Sequence, residues 1–294
     1  MLEHLAIIRF IGSDAQSFLH GQLTCDVKAL ATGKACFGGY CTPKGRLLAT
    51  FLLAAESPEH YTMILPAVIA APIAKRLSMY VLRAKVKTET DSAGTGVAGV
   101  SPASESAACA TLRLAMPDNA MTLSRDNATC LLRLSDGRLL IWGPAPAIAA
   151  LPEQMDSSTW QAADIAAGLP WVTPSTQEEF VPQMVNLDLV GGLSYQKGCY
   201  PGQEIVARTH YLGRLKQRLF RARVNAAVQS GDKLFSEDMG EQASGMILNA
   251  VSDNKGGSDV LAVLRLDSLQ QTVYHAGNLS GPALTLDTLP YEVK

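Results

Sequence analysis

The chain has 294 residues, of which 47% are hydrophobic and 18% are charged, and its formal net charge is −2. This length predicts two or three packed units, and the apolar content excludes a globally disordered chain. The near-neutral charge excludes a general attraction to nucleic acid, so any such contact requires a local basic patch. The N-terminal residues lack the pattern of a signal peptide, and no apolar run approaches the roughly 20 residues of a membrane helix. A cytoplasmic location is expected.

Residues 1–90 are predicted to form a first α+β region, because strand-like apolar runs alternate with helical segments. Ser13-Asp14-Ala15-Gln16 has the spacing of a capping box and predicts the start of a helix. Thr42-Pro43-Lys44-Gly45-Arg46 lies between two apolar runs and predicts a hairpin connection. The predicted elements are strands over 5–11, 35–41, 47–54, 60–65 and 86–90, a helix from Ser13 to about Leu23, and an alanine-rich helix ending near Tyr80.

Residues 91–214 are predicted to form a second α+β region. Asp136-Gly137 predicts a two-residue hairpin turn, and Gly168 predicts the end of a helix. The repeated strand–helix–strand–strand order indicates intertwined α+β units rather than a doubly wound sheet. The predicted elements are strands over 97–100, 129–134 and 138–142, and helices over 102–114, 145–155 and 158–167.

Residues 215–294 differ in sequence pattern from the two preceding regions. Short strand-like runs alternate there with turns that contain glycine and asparagine. This pattern predicts a small all-β domain, and we expect a barrel. The predicted strands cover 219–224, 243–251, 260–266 and 284–288.

Six cysteines are scattered along the chain without close pairs, at Cys25, Cys36, Cys41, Cys109, Cys130 and Cys199. Reduced thiols are the better interpretation, because a disulfide framework is typical of smaller and more cysteine-dense secreted chains. No C-x-x-C or H-x-x-x-H spacing is present, so no metal site is predicted. Cys25, Cys36 and Cys41 could contact an iron–sulphur cluster transiently, but the favoured interpretation is that they are packing residues.

The densest group of unusual residues is Lys197-Gly198-Cys199-Tyr200-Pro201-Gly202-Gln203-Glu204. Pro201-Gly202 suits the middle of a type II turn, and apolar spacing predicts a helix starting near Gln203. Cys199 would then lie just ahead of a helix N-terminus with Lys197 nearby, and both features favour thiolate over thiol. A buried structural cysteine in a tight turn is an equally weighted alternative.

These eight positions resemble the signature of the YgfZ family, and Phe180, Pro182, Gln183, Asn186 and Leu187 upstream fit the same pattern. The resemblance extends to the N-terminal part of the chain, where residues 21–27 and 44–46 also fit the family. It implies the fold of the glycine cleavage T-protein: two intertwined ferredoxin-like α+β units and a small C-terminal β-barrel, arranged around a central hole that holds tetrahydrofolate.

The chain departs from the T-protein at its first hairpin. The aminomethyltransferase carries an Asp-Asp-Leu run there, and the matching stretch here is Leu48-Ala49-Thr50-Phe51. Thr50 cannot supply the negative charge that would stabilise a developing iminium ion. The resemblance therefore implies a retained pocket without one-carbon transfer of the glycine-enzyme type.

The resemblance also implies which residues bind folate. The family places a tryptophan facing its ligand at the position of Trp160, where it could stack on the flat pterin; an ordinary core tryptophan is the alternative. Relatives often have a second tryptophan at the position of Leu5. Lys197 could pair with the glutamate tail of folate or with Cys199, or could be a solvated lysine. Further candidate contacts are Tyr200, Gln203, Glu204 and Asn186.

Residues 205–231 contain no acid but six cations, namely Arg208, Arg214, Lys216, Arg218, Arg221 and Arg223. Such a strip could contact RNA phosphates or a polyglutamyl folate tail. A charged, solvated face of the first barrel strand is the favoured alternative.

The resemblance implies a folate-binding accessory protein that supports assembly or repair of iron–sulphur enzymes, among them enzymes that modify tRNA. Cys199 and Lys197 are the predicted reactive centre, and the protein is expected to be non-catalytic or weakly catalytic. A folate-dependent one-carbon transferase or demethylase is the alternative. A third hypothesis is a tRNA-binding module that acts through the basic strip over 214–223.

Overall fold

A computed structural model describes residues 1–90, 94–126, 128–213, 215–269 and 272–293. The chain divides into two compact units, one of Met1–Gly38 with Phe51–Trp160 and one of Gly39–Thr50 with Gln161–Lys294. The predicted boundaries at 90/91 and 214/215 involve residues outside those described, and they stay predictions. Within the described ranges, no helix combines the length and apolar character needed to cross a membrane.

Most strands of the first unit belong to a ten-stranded sheet in the order β10-β6-β9-β8-β7-β2-β3-β4-β1-β5. The predicted mixed α+β class is confirmed, because helices accompany a sheet whose long pairs, such as β1 with β4 and β6 with β9, are antiparallel. The strands are β1 (Leu5–Ile11), β2 (Lys34–Cys41), β3 (Leu47–Ser57), β4 (His60–Pro66), β5 (Lys87–Thr90), β6 (Thr95–Val100), β7 (Thr122–Arg125), β8 (Cys130–Arg133), β9 (Leu139–Pro144) and β10 (Gln154–Met155).

In the described residues, the helices that accompany this sheet are α1 (Ala15–His20), α2 (Ala67–Ser78), α3 (Glu105–Leu112), α4 (Ala145–Ala149) and α5 (Ser157–Ala166). A 3₁₀ turn over 102–104 precedes α3. The face of α2 that carries Ile69, Ile73 and Leu77 is buried, as the spacing of three and four residues requires. Gly168 has a φ of 67° just beyond α5, so its predicted role as a helix stop is confirmed.

Three local predictions in this region are wrong. The capping box does not form, because Asp14 makes no side-chain cap bond and instead accepts a hydrogen bond from the Lys85 backbone N–H at 2.8 Å. The helix predicted over 145–155 ends at Ala149, since Pro152 disfavours helical conformation in the residue before it. The hairpin turn after β8 has three loop residues rather than two, because the Leu134 N–H bonds the Arg138 carbonyl at 2.8 Å.

The second unit contains a six-stranded sheet in the order β15-β12-β13-β14-β11-β16. Its buried core is mostly aliphatic and includes Leu234, Ile247 and Val260, together with Tyr274. Beyond α6 the described residues form strands and one 3₁₀ turn (Glu237–Met239), while the bounds of the predicted all-β region and its closure into a barrel stay predictions. The strands are β11 (Gln217–Val224), β12 (Lys233–Phe235), β13 (Gly245–Ser252), β14 (Ser258–Arg265), β15 (His275–Ala276) and β16 (Leu284–Asp287), and a helix α6 (Gln203–Tyr211) and a 3₁₀ turn (Pro182–Val185) precede them.

Candidate functional site: a fixed turn that carries Cys199

The predicted type II turn is present at Pro201-Gly202. The Gln203 N–H bonds the Tyr200 carbonyl at 3.1 Å, and Gly202 has φ 83° and ψ 1°, the values of the third position of such a turn. Helix α6 starts at the next residue. The sequence therefore predicted both the turn and the helix start correctly.

The turn packs backbone to backbone against the hairpin loop over 42–46. A Cβ built on Gly202 would lie 2.5 Å from the Thr42 carbonyl oxygen and 2.6 Å from Gly45 Cα. No side chain larger than hydrogen fits there, and the positive φ independently favours glycine. These two segments are far apart in the sequence, so their contact holds the signature turn in one position.

Cys199 is exposed, and it lies four residues ahead of the first residue of α6. Its interpretation as a buried structural cysteine is therefore wrong. The other five cysteines are buried or partly buried, and burial raises the pKa of Cys41 to about 12. Cys199 is thus the one exposed cysteine among the described residues. Its predicted reactive role stays a prediction.

The residues on either side of Cys199 anchor the turn. Lys197 and Tyr200 are only 7% and 6% exposed, and the Lys197 ammonium lies 4.9 Å from the centre of the Tyr200 ring. The Gln203 side-chain amide donates to the Lys197 carbonyl at 3.2 Å. The interpretation of Lys197 as a solvated lysine is therefore wrong. Lys197 lies two residues before Cys199 in the chain.

Tyr200 carries a polar atom that the described part of the chain leaves unsatisfied. Its phenol oxygen is buried and has no hydrogen-bond partner there. Burial and the nearby Cys41 raise the pKa of this phenol, so it remains protonated and can donate a hydrogen bond. Glu204, another predicted contact, is exposed in the first turn of α6.

Asn186 is fully buried and has a left-handed φ of 58°. Its side-chain amide donates to the Leu219 carbonyl at 2.8 Å and accepts from the Leu219 N–H at 3.4 Å. The amide therefore joins the segment ahead of the signature to strand β11. Its predicted contact with folate stays a prediction, and both of its polar atoms already serve the fold.

Three arginines of the basic strip are paired with aspartates. Arg218 is buried and forms two hydrogen bonds with Asp188, at 2.6 and 3.0 Å. The favoured interpretation as a solvated face is therefore wrong for Arg218. Two further pairs are Arg221 with Asp287 at 3.4 Å and Arg223 with Asp259 at 3.0 Å, and Arg214 lies outside the described residues.

Thr50 has a structural role at the position where the aminomethyltransferase carries its acidic run. Its hydroxyl is fully buried, donates to the Pro170 carbonyl at 2.7 Å and accepts from the Val172 N–H at 2.9 Å. Sequence reasoning missed the neighbouring contact in which the Trp171 indole N–H donates to the buried Asp164 carboxylate at 2.8 Å. An acid and a tryptophan seven residues apart give no local signal of this pairing.

Trp160 and Leu5 belong to the first unit. Trp160 is 1% exposed, the Arg138 guanidinium lies 4.2 Å from its ring, and the ring packs against Gly99, which has no room for a Cβ. Its indole N–H has no hydrogen-bond partner in the described ranges. Leu5 is 7% exposed and lines a cavity of about 150 Å³ with Met1 and Thr95.

The structure thus gathers Lys197, Cys199, Tyr200, Gln203 and Glu204 into one turn and helix start.

Comparison with known proteins defines the class of fold. The aminomethyltransferase T of the glycine cleavage system from Bartonella henselae superposes with a TM-score of 0.77, covering 98% of this chain and 84% of that chain. At 15% identity, this likeness shows the fold alone.

Sequence relatives define the family more narrowly, although no family model matches the chain. The tRNA-modifying protein YgfZ of Edwardsiella ictaluri is 32% identical over 97% of this chain and 89% of its own length. The proteins of the same name from Sodalis glossinidius and Vibrio vulnificus are each 30% identical, covering 99% and 100% of this chain and 92% of their own lengths. The chain belongs to the YgfZ family.

Proposed function

We propose that this protein is a tetrahydrofolate-binding accessory protein that supports the assembly or repair of iron–sulphur enzymes, including enzymes that modify tRNA. The observation that carries the proposal is the accessible Cys199 thiol on a turn whose backbone is fixed by buried neighbours. The naming of the relatives as tRNA-modifying proteins supports the tRNA part of the proposal. The resemblance described above supplies the folate and iron–sulphur parts.

Cys199 is the proposed reactive group. An accessible thiol on a fixed turn can meet a partner protein without rearrangement of the chain that carries it. Lys197 and the amino end of α6 bring positive charge to the segment that contains Cys199. The buried cysteines lack access to a partner.

The candidate folate residues are better suited to hydrogen bonding with folate than to stacking on its pterin ring. Trp160 offers no exposed ring face, so a pterin stacked on it would have to displace the side chains that cover the ring. Buried polar atoms without partners call for an explanation, and the Trp160 indole N–H and the Tyr200 hydroxyl are two such donors. We propose that the Trp160 indole N–H donates to an acceptor atom of the folate.

The arrangement of the two α+β regions and the C-terminal strands around a central folate hole is part of the same proposal. A cytoplasmic location of the protein is also proposed. The one-carbon transferase alternative lacks support at Thr50, because that hydroxyl is already engaged by two backbone groups and carries no charge.

Folate binding can be tested by titration calorimetry with tetrahydrofolate. Trp160→Phe is expected to bind about tenfold more weakly than the wild type, because it removes one hydrogen bond to the ligand. Trp142→Phe is the matched control, since the Trp142 indole N–H already donates to Glu56 at 3.1 Å. The control should lose stability but keep its affinity for tetrahydrofolate.

Two outcomes of this titration would contradict the folate assignment. One is a wild-type protein that takes up no tetrahydrofolate. The other is equal affinity in the wild type and Trp160→Phe, which would assign the unpaired indole to ordinary core packing.

A further inference from the structure

The C-terminal end of α6 carries a stack of aromatic rings that the proposed function does not use. The Tyr195 and His210 rings lie parallel at 3.8 Å between centres, and Tyr211 meets His210 edge-on at 4.7 Å. Tyr211 is 65% exposed, and Leu212 beside it is 84% exposed. Large apolar side chains so exposed at one place indicate an interaction surface.

Basic residues lie beside this stack. Arg208 and His210 occupy the last turn of α6, and both are exposed. No acidic residue occurs between Ile205 and Gly231 in the sequence. Arg218, Arg221 and Arg223 on the following strand are paired with aspartates, whereas Arg208 and Lys216 are exposed. Arg208 lies three residues before Tyr211 on α6, so it is the described cation next to the Tyr211 ring.

We infer that Tyr211, supported by His210 and Tyr195, is a stacking platform for a base of single-stranded RNA, with Arg208 on the adjacent phosphate. An exposed ring beside a cation is the combination that binds unpaired bases without reading their sequence. Duplex RNA hides its base faces, so the platform selects unpaired nucleotides.

This inference rests on the proposed function, because it supplies the RNA contact of a protein that serves tRNA-modifying enzymes. Tyr211 lies eight residues beyond the first residue of α6, which is about 12 Å along the helix axis. The platform would therefore hold RNA at the far end of the helix that follows the Cys199 turn. An RNA-bound client would then be close to the thiol.

The test uses fluorescence anisotropy of fluorescein-labelled decauridylate with the full-length protein. Tyr211→Ala is expected to bind about tenfold more weakly, which is the typical effect of losing one stacked base. Tyr211→Phe keeps the ring and should bind within about twofold of the wild type. Arg208→Gln should weaken binding and reduce the salt dependence by about one phosphate contact.

Leu212→Ser is the matched control at the neighbouring exposed position, and it should leave RNA affinity unchanged. Three results would overturn the inference: unchanged affinity in Tyr211→Ala, equal weakening by Leu212→Ser, which would indicate an apolar protein contact, or equal binding of a duplex of the same length. Circular dichroism of each variant excludes loss of fold as the cause.

Failure of this inference can be separated from failure of the proposed function. The Cys199→Ala protein should bind decauridylate as the wild type does, because Cys199 is not part of the platform. If RNA binding is absent while Cys199 remains essential for tRNA modification, the platform alone is refuted. If RNA binds but Cys199 is dispensable, the proposed thiol function alone is refuted.

Discussion

Replacing Gly202 with alanine is expected to reduce the free energy of unfolding by about 3 kcal/mol or more. The new Cβ would lie 2.5 Å from the Thr42 carbonyl oxygen and 2.6 Å from Gly45 Cα, so backbone must move to accept it. The left-handed φ of 83° adds strain for any residue with a Cβ. Because the same contact holds the Cys199 turn, loss of biological activity should accompany the loss of stability.

Gly191→Ala is the matched control for this prediction. Gly191 also has a positive φ, of 77°, but no atom lies within 4 Å of a Cβ built on it. Only backbone strain remains, and we expect a cost of about 1 kcal/mol. Guanidinium unfolding of both variants provides the measurement. Similar losses at the two positions would mean that the close backbone contact at Gly202 does not hold the turn.

Removing the buried guanidinium with Arg218→Met is expected to cost about 3 kcal/mol, because the mostly buried Asp188 carboxylate would lose its charged partner. Arg218 also donates to the Gln183 carbonyl at 2.9 Å, so it fastens β11 to the segment ahead of the signature at two points. The exposed pair of Arg223 with Asp259 is the control, and Arg223→Met should cost at most about 1 kcal/mol.

Guanidinium unfolding curves of the two arginine variants give this comparison directly. A cost for Arg218→Met as small as that for Arg223→Met would show that the Asp188 pair behaves as a surface ion pair. That result would support the interpretation of the basic strip as a solvated face.

Local signals predicted the parts of the fold that depend on neighbouring residues. The Pro201-Gly202 turn and the start of α6 were predictable because proline and glycine impose their own dihedral angles. Strands β1 and β3 were predictable from long apolar runs. The strands β7, β10, β12 and β15 were missed, since each has only two to four residues and exists only through its pairing partner.

The chemistry of the site was less predictable, because it depends on contacts between distant segments. The aspartates that neutralise Arg221 and Arg223 lie on other strands, so the sequence showed a strip of cations where the fold has ion pairs. Burial of Trp160 beneath Arg138 likewise depends on tertiary packing. The exposed position of Cys199 could not be read from its spacing in the turn.

The most direct test of the central claim is the level of thiolated tRNA nucleosides, measured by mass spectrometry, in cells whose only copy of this protein carries Cys199→Ala. We expect the level to fall to that of cells without the protein, while the purified variant unfolds at the wild-type temperature because Cys199 is exposed. Cys109→Ala, which removes a buried thiol, should retain normal levels. Normal thiolation in the Cys199→Ala cells would contradict the account.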